Sequence, residues 1–267
     1  MKTNKYKILV LSDNNNATST TLENTISLAK MIDGEIMLFG VKDPLKVVKE
    51  TNQLSAMREI NHQFTFTNNS LKRLAKSASE KFGVNINSTF VIGRVNDEIS
   101  TYIKDYQPDV IVVKRRKQRI LNLVGDTLTD FVLNTFSGPI LVTDEESTFK
   151  HDKSLTLGVL NGIDKTSSRS IFGDLLPHTN NPIKMFKIID SKNSEEDNTQ
   201  SDIKDAVEFV FEQNDSSVKN LSKYLEKNGI NLLYLNRGNF KSKKRRKLNS
   251  YISKLKVPML LSAQQAI

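Results

Sequence analysis

A pattern of buried strand, basic loop, amphipathic helix, proline and second buried strand occurs twice in this chain. The first copy runs from DVIVVKRRKQR at 109–119 to GPILVTD at 138–144, and the second from NLLYLNRGNFKSKKRRK at 231–247 to VPMLLSA at 257–263. Pro139 and Pro258 lie 119 residues apart, about the length of one small domain. The 267 residues are therefore read as two related halves rather than one large domain. The expected division is a first domain over 1–146, a linker over 147–154 and a second domain over 155–267.

Charge sharpens the same pattern. Of the 39 Lys and Arg, five stand at 114–119 (Lys114, Arg115, Arg116, Lys117, Arg119) and six at 241–247 (Lys241, Lys243, Lys244, Arg245, Arg246, Lys247), leaving 28 against 30 Asp and Glu elsewhere. The net charge of +9 thus belongs to two equivalent loops and not to the whole surface. With no Cys in the chain, disulfides, thiolate metal sites and cysteine nucleophiles are excluded. The apolar run near the start, Ile8 to Leu11, is too short for a signal segment or a membrane span. A soluble cytoplasmic protein with no membrane partner is expected.

Hydrophobic spacing places strands at 6–12, 35–41, 85–92, 109–113 and 139–143. Between them, Leu22, Ile26 and Ala29 share one helical face, after a start at Thr20 or Thr21 and before a left-handed stop at Gly34. A second helix spans 69–82 and ends at Gly83, and Asn96 is the expected cap of a third bearing Ile99, Tyr102, Ile103 and Tyr106. Leu128, Phe131, Val132 and Thr135 mark a fourth. The charged stretch 144–154 reads as connection, with Asp144, Glu145 and Glu146 as linker charges. Strands then recur at 155–161, 183–189, 207–213, 231–235 and 257–263. A weak helix closed by Pro177, a helix stopped by Gly229, and a stripe of Leu248, Tyr251, Ile252 and Leu255 lie between them. Residues 191–204 are polar where the first copy has a long helix, so the second half is trimmed there. The fold class is α/β, as two tandem doubly wound open parallel sheets.

In such a sheet, ligands bind beyond the carboxyl ends of the strands where strand order reverses. Ser12 and Asp13 fall there after the first strand, and Val41 after the second. Lys114, Arg115, Arg116 and Lys117 follow the fourth strand, with Gly125, Asp126 and Thr127 at the next helix start. A carboxylate can accept a hydrogen bond from a base amino group or sugar hydroxyl, and basic side chains with helix-start N–H groups can hold phosphate. Asp13 equally suits a turn role before the first helix. His62, His151 and His178 are scattered, and neither a GxSxG elbow nor a GxxxxGK[ST] loop occurs. No catalytic residue and no metal ligand is assigned.

The stretch KILVLSDNNNATSTTLENTISLAKMIDGEIMLFGV resembles the opening unit of universal stress proteins, including the aspartate after strand one. VIGRVNDEISTYIKDYQPDVIVV and SGPILVTD resemble that family's third-to-fourth and closing segments. The likeness covers nearly all of 5–144 and, more faintly, 155–262. It implies a tandem member with two adenine nucleotide alpha hydrolase-like, Rossmann-like domains that pack against each other, and a homodimer as a further expectation. The family's nucleotide-binding members carry G-x2-G-x9-G-[ST] after strand four. Here Lys114 and Lys117 stand at the first two glycines, seven residues separate Lys117 from Gly125, and Asp126 follows in place of a hydroxyl residue. A Cβ at those positions keeps the backbone off a phosphate, and Asp126 repels one. In the second copy Asn161 replaces the aspartate and 236–247 holds only Gly238. ATP or AMP binding is therefore expected to be weak or lost.

The leading expectation is a non-enzymatic stress-response binding or regulatory module. One alternative is capture of another anionic small molecule by the basic loops, through Arg115 or Arg116. Another is binding of nucleic acid or an acidic partner by Lys241, Lys243, Lys244, Arg245, Arg246 and Lys247, which the scarcity of interleaved aromatics disfavours. An ATPase or phosphohydrolase is the least favoured, for want of a metal constellation.

Overall fold

The structure, a computed structural model, describes residues 5–12, 19–48, 52–115, 127–163, 171–189, 206–214, 216–240 and 245–264. Side chains of Thr127 and of Arg245 to Lys247 are outside that description. The chain forms two compact units, Met1–Lys114 and Arg115–Ile267.

The first unit begins with β1 (Tyr6–Ser12), α1 (Ser19–Ile32) and β2 (Gly34–Lys42), and continues through α2 (Gln53–Phe82), β3 (Ile86–Ile92), α3 (Val95–Tyr106) and β4 (Val110–Lys114). Its four strands run parallel in the order β3-β2-β1-β4. Ile8, Leu9 and Val10 of β1 and Val110 to Val113 of β4 are almost fully buried, as central parallel strands covered on both faces require. Phe39 of β2 stacks on Tyr102 of α3 with ring centroids 4.1 Å apart.

Local sterics correct three sequence expectations here. The left-handed residue after α1 is Asp33, at φ 56°, and not Gly34. Gly34 is instead a close-approach position, since a Cβ there would lie 2.7 Å from Ile8 Cδ1. The second helix has 30 residues and opens at Gln53, where Asn52 caps it by accepting from the Leu54 N–H at 2.9 Å. Its first half carries the apolar stripe onward through Leu54, Met57 and Phe64, but polar neighbours hide the period and these side chains are exposed. It ends at Gly83, φ 66°, as expected. Asn96 lies inside the first turn of α3, and Arg94 holds the cap position without a side-chain bond. Asp97 and Glu98 complement that helix start instead.

The second unit holds α4 (Thr127–Thr135), β5 (Ile140–Thr143), β6 (Leu157–Leu160), α5 (Ile171–Leu175) and β7 (Lys184–Ile189). β8 (Val207–Glu212), α6 (Ser217–Lys227), β9 (Leu232–Leu235), α7 (Arg245–Lys254) and β10 (Met259–Leu261) follow. Its strand order is β5-β10-β9-β6-β7-β8. All neighbours are parallel except β5 and β10, which pair antiparallel. Leu248, Tyr251, Ile252 and Leu255 are buried, as their spacing requires. Phe186, fully buried, stacks on Phe209 at 5.6 Å and meets Tyr224 edge-on at 6.2 Å.

Two further expectations change. Pro177 sits within a 3-10 turn, Leu176–His178, that continues directly from α5. The stretch read as connection is packed: Asp144 and Phe149 are buried, and Leu155 bridges to Thr179. Its charged composition concealed one apolar anchor and one inward carboxylate. The trimmed stretch 191–204 lies outside the described residues.

Candidate functional site

At the carboxyl edge of the first unit, Ser12 ends β1 and Lys114 ends β4, on the neighbouring strands where order reverses. The Ser12 Oγ is buried and has no hydrogen-bond partner among the described residues. A buried hydroxyl without a partner is costly, so this atom marks a place where a donor or acceptor from outside would be stabilised. Val41, expected beyond the second strand, lies within β2 and is buried, because that strand runs on to Lys42. Asp13, Arg116, Lys117, Gly125 and Asp126 lie outside the described residues. Thr127 is the first residue of α4.

Arg115 departs from its expected role. The sequence offered its guanidinium to an anionic ligand, yet it is occupied within the protein. Nη1 donates to the carbonyl oxygen of Ile252 at 2.7 Å and also to that of Leu255, and Nη2 donates to Asp144 Oδ2 at 2.8 Å. Burial lowers the Arg115 pKa from its ordinary value, and the nearby Asp144 and Glu146 carboxylates oppose the shift. Asp144 Oδ1 in turn accepts from the N–H groups of Glu146 and Ser147 at 2.8 and 2.7 Å. The supposed linker carboxylate is thus the organising acceptor of a buried ion pair.

Arg237, which sequence reasoning did not single out, repeats the arrangement. It lies five residues beyond the first residue of β9, as Arg115 lies five beyond the first residue of β4. Its guanidinium donates to the carbonyl oxygens of Leu133 at 3.0 Å, Phe136 at 3.1 Å and Gly138 at 2.9 Å, and to Gln264 Oε1 at 3.3 Å. Leu133 and Phe136 precede Ile252 and Leu255 by 119 residues, the same offset as Pro139 and Pro258. The closing strands obey the same symmetry. Leu141 of β5 faces Leu260 of β10, with Val142 opposite Met259 and Ile140 opposite Leu261. A local two-fold therefore relates the α4–β5 and α7–β10 segments, and each arginine reaches the helix end belonging to the other copy. The doubled spacing was the available signal for Arg237.

The corresponding edge in the second copy is filled by its own side chains. Asn161, at φ 56°, accepts through Oδ1 from the Ile188 N–H at 3.1 Å, and its carbonyl accepts from Asn239 Nδ2 at 2.6 Å. Asn236 Oδ1 accepts from the Gly238 N–H at 2.9 Å and from the Ser262 hydroxyl at 3.4 Å. Of the second basic run, Lys241, Lys243 and Lys244 lie outside the described residues, whereas Arg245, Arg246 and Lys247 form the first turn of α7 and so belong to a helix rather than a loop. Among the described residues no group of three His, Asp or Glu could hold a metal ion. Nor is any described helix long and apolar enough to cross a membrane.

Comparison with known families decides what this architecture is. The universal stress protein family profile matches residues 6–144, more than half of the chain. The chain belongs to the universal stress protein family. A universal stress protein from Archaeoglobus fulgidus DSM 4304 has a similar structure, with a TM-score of 0.67 at 14% identity over 97% of this chain and 96% of that one. A functionally unknown protein from Pseudomonas aeruginosa PAO1 gives 0.57 at 11% identity, over 96% and 92%. At these identities the likeness speaks for the fold, and it runs through both copies of this tandem universal stress protein. No curated protein sequence gives a significant match.

Proposed function

We propose that this universal stress protein is a non-enzymatic, cytoplasmic binding module of the stress response. Its first copy, 1–146, keeps a ligand position at the ends of β1 and β4, and its second copy, 155–267, is the structural partner. The Ser12 hydroxyl, buried and without a partner among the described residues, is the observation that carries this reading. At the second copy's edge, Asn161 and Asn236 are engaged by the chain itself, which supports a structural role there. Lys114 in place of the first glycine argues for weak nucleotide binding, and the internal engagement of Arg115 removes one candidate anion contact. Pairing of the two copies stands in for the family's paired domains, and a homodimer of the whole chain would use other surfaces.

Calorimetry with ATP, AMP and cyclic nucleotides tests the ligand position. The expected result is weak heat, lost in Ser12→Val and Asp13→Ala. No heat at millimolar nucleotide would remove these compounds as ligands, and micromolar ATP binding would overturn the claim of a weakened phosphate end. A second reading, an acidic partner at the second basic run, draws on α7 opening with Arg245, Arg246 and Lys247 and no acidic residue in its first turn. Positive charge there opposes the helix dipole, and an anion would relieve it. A steep salt dependence of binding to an acidic polymer, flattened by neutralising Lys243 to Lys247, is its signature.

A further inference from the structure

We propose that Arg115 and Arg237 form a crossed latch, in which the segment after the fourth strand of each copy clamps the end of the last helix of the other. The last carbonyls of a helix lack intrahelical partners. Here those of α7 are taken by Arg115 and those of α4 by Arg237, at positions related by the 119-residue offset. A guanidinium suits this task because it is planar, permanently charged and carries five donors in a fixed fork. Arg237 is buried at 6% exposure and the Arg115 side chain at 13%. Withdrawing either one leaves several buried acceptors unsatisfied together, so each clamp opens as a unit.

The consequence is directional. Arg115 is the second residue of the first basic run, yet what it secures is the α7 end, 137 and 140 residues further along the chain. Arg237 stands just ahead of the second basic run and secures the α4 end. A disturbance arising at one strand-four loop is thereby delivered to the helix end of the opposite copy, and the reciprocal path exists by symmetry. The latch does not depend on the ligand reading above, because it is made of protein contacts alone.

Hydrogen exchange on the full chain tests it, read at two equivalent amides. Phe136 donates to the Val132 carbonyl at 2.9 Å and Leu255 to the Tyr251 carbonyl at 3.0 Å. Arg115→Met should lower protection around Leu255 by about 100-fold while leaving Phe136 near its parent value. Arg237→Met should do the reverse. Arg115→Lys keeps the charge but not the fork, and should give an intermediate loss at Leu255; it carries the test if the Met variant fails to fold. Loss confined to the substituted residue's own strand end, or equal loss at both amides, would overturn the latch. Failure of the nucleotide calorimetry leaves these outcomes unchanged, so the two ideas fall separately.

Discussion

Asn249 donates through Nδ2 to Asp130 Oδ1 at 3.0 Å, and the two residues hold the same place in the two copies, 119 positions apart. They meet on the local two-fold that also passes between Leu141 and Leu260. A dyad brings a residue against its own counterpart, and two identical carboxylates there would repel. Asp in one copy and Asn in the other converts that repulsion into a hydrogen bond.

Asn249→Asp should undo this in a pH-dependent way. Two carboxyls at this spacing cannot both ionise freely, so one acquires a folded pKa above its unfolded value of about 4. Its penalty is then absent below that value and grows as the pH rises through the carboxylate range. Urea denaturation should show a loss of about 1–3 kcal/mol relative to the parent at neutral pH, largely recovered near pH 4. A loss of equal size at both pH values would contradict the dyad account.

Gly158 tests how tightly the second unit is packed. A Cβ there would lie 2.9 Å from Phe186 Cε2 and 3.1 Å from both Ile230 Cγ2 and Leu233 Cδ1. Three buried neighbours cannot all retreat, so Gly158→Ala should cost about 1–3 kcal/mol in chemical denaturation. Gly83→Ala should act by a different route, since nothing lies within 4 Å and its φ of 66° supplies the strain.

Asn161 separates side-chain bonding from backbone strain. Asn161→Gly loses the bond to the Ile188 N–H but relaxes the left-handed backbone, whereas Asn161→Ala loses the bond and keeps the strain. The Ala variant should therefore be less stable than the Gly variant by about 1 kcal/mol. Equal midpoints would mean that the φ of 56° carries no cost.

Tyr102, Tyr106 and Tyr251 should ionise above the ordinary tyrosine value of 10.0. Burial is the main cause in all three. Nearby Glu35, Tyr102 and Asp109 add to it at Tyr106, while a hydrogen bond with Thr89 works against it at Tyr102. The folded state holds these protons more tightly than the unfolded state. Their contribution to stability is thus intact below pH 10 and declines as the pH rises beyond it. Ultraviolet titration of native protein should show late-ionising tyrosines, and denaturation midpoints should fall across the same range.

Much of the fold was legible because its signals are local. The runs Ile8 to Leu11 and Val110 to Val113, and the stripe of Leu248, Tyr251, Ile252 and Leu255, announce buried strands and a buried helix face. The first half of α2 was not legible, since its apolar stripe is diluted by polar residues and lies exposed. Arg115, Asp144 and Arg237 were misread or overlooked for another reason. Their roles are set by partners up to 140 residues away, and in composition they look like solvated charge. The two-fold was present in the sequence as a repeat, but a repeat alone does not reveal which surfaces meet.

The antiparallel closing strands have a consequence for assembly. They share a ladder of three residue pairs, a short seam for two independent proteins to rely on. Here both strands belong to one polypeptide, and the connection between copies is compact enough to bury Phe149. Tethering of this kind gives an effective concentration on the order of millimolar. A modest seam then closes as a folding step rather than as an encounter between molecules. The pairing should accordingly persist at any dilution, which separately encoded halves could not match.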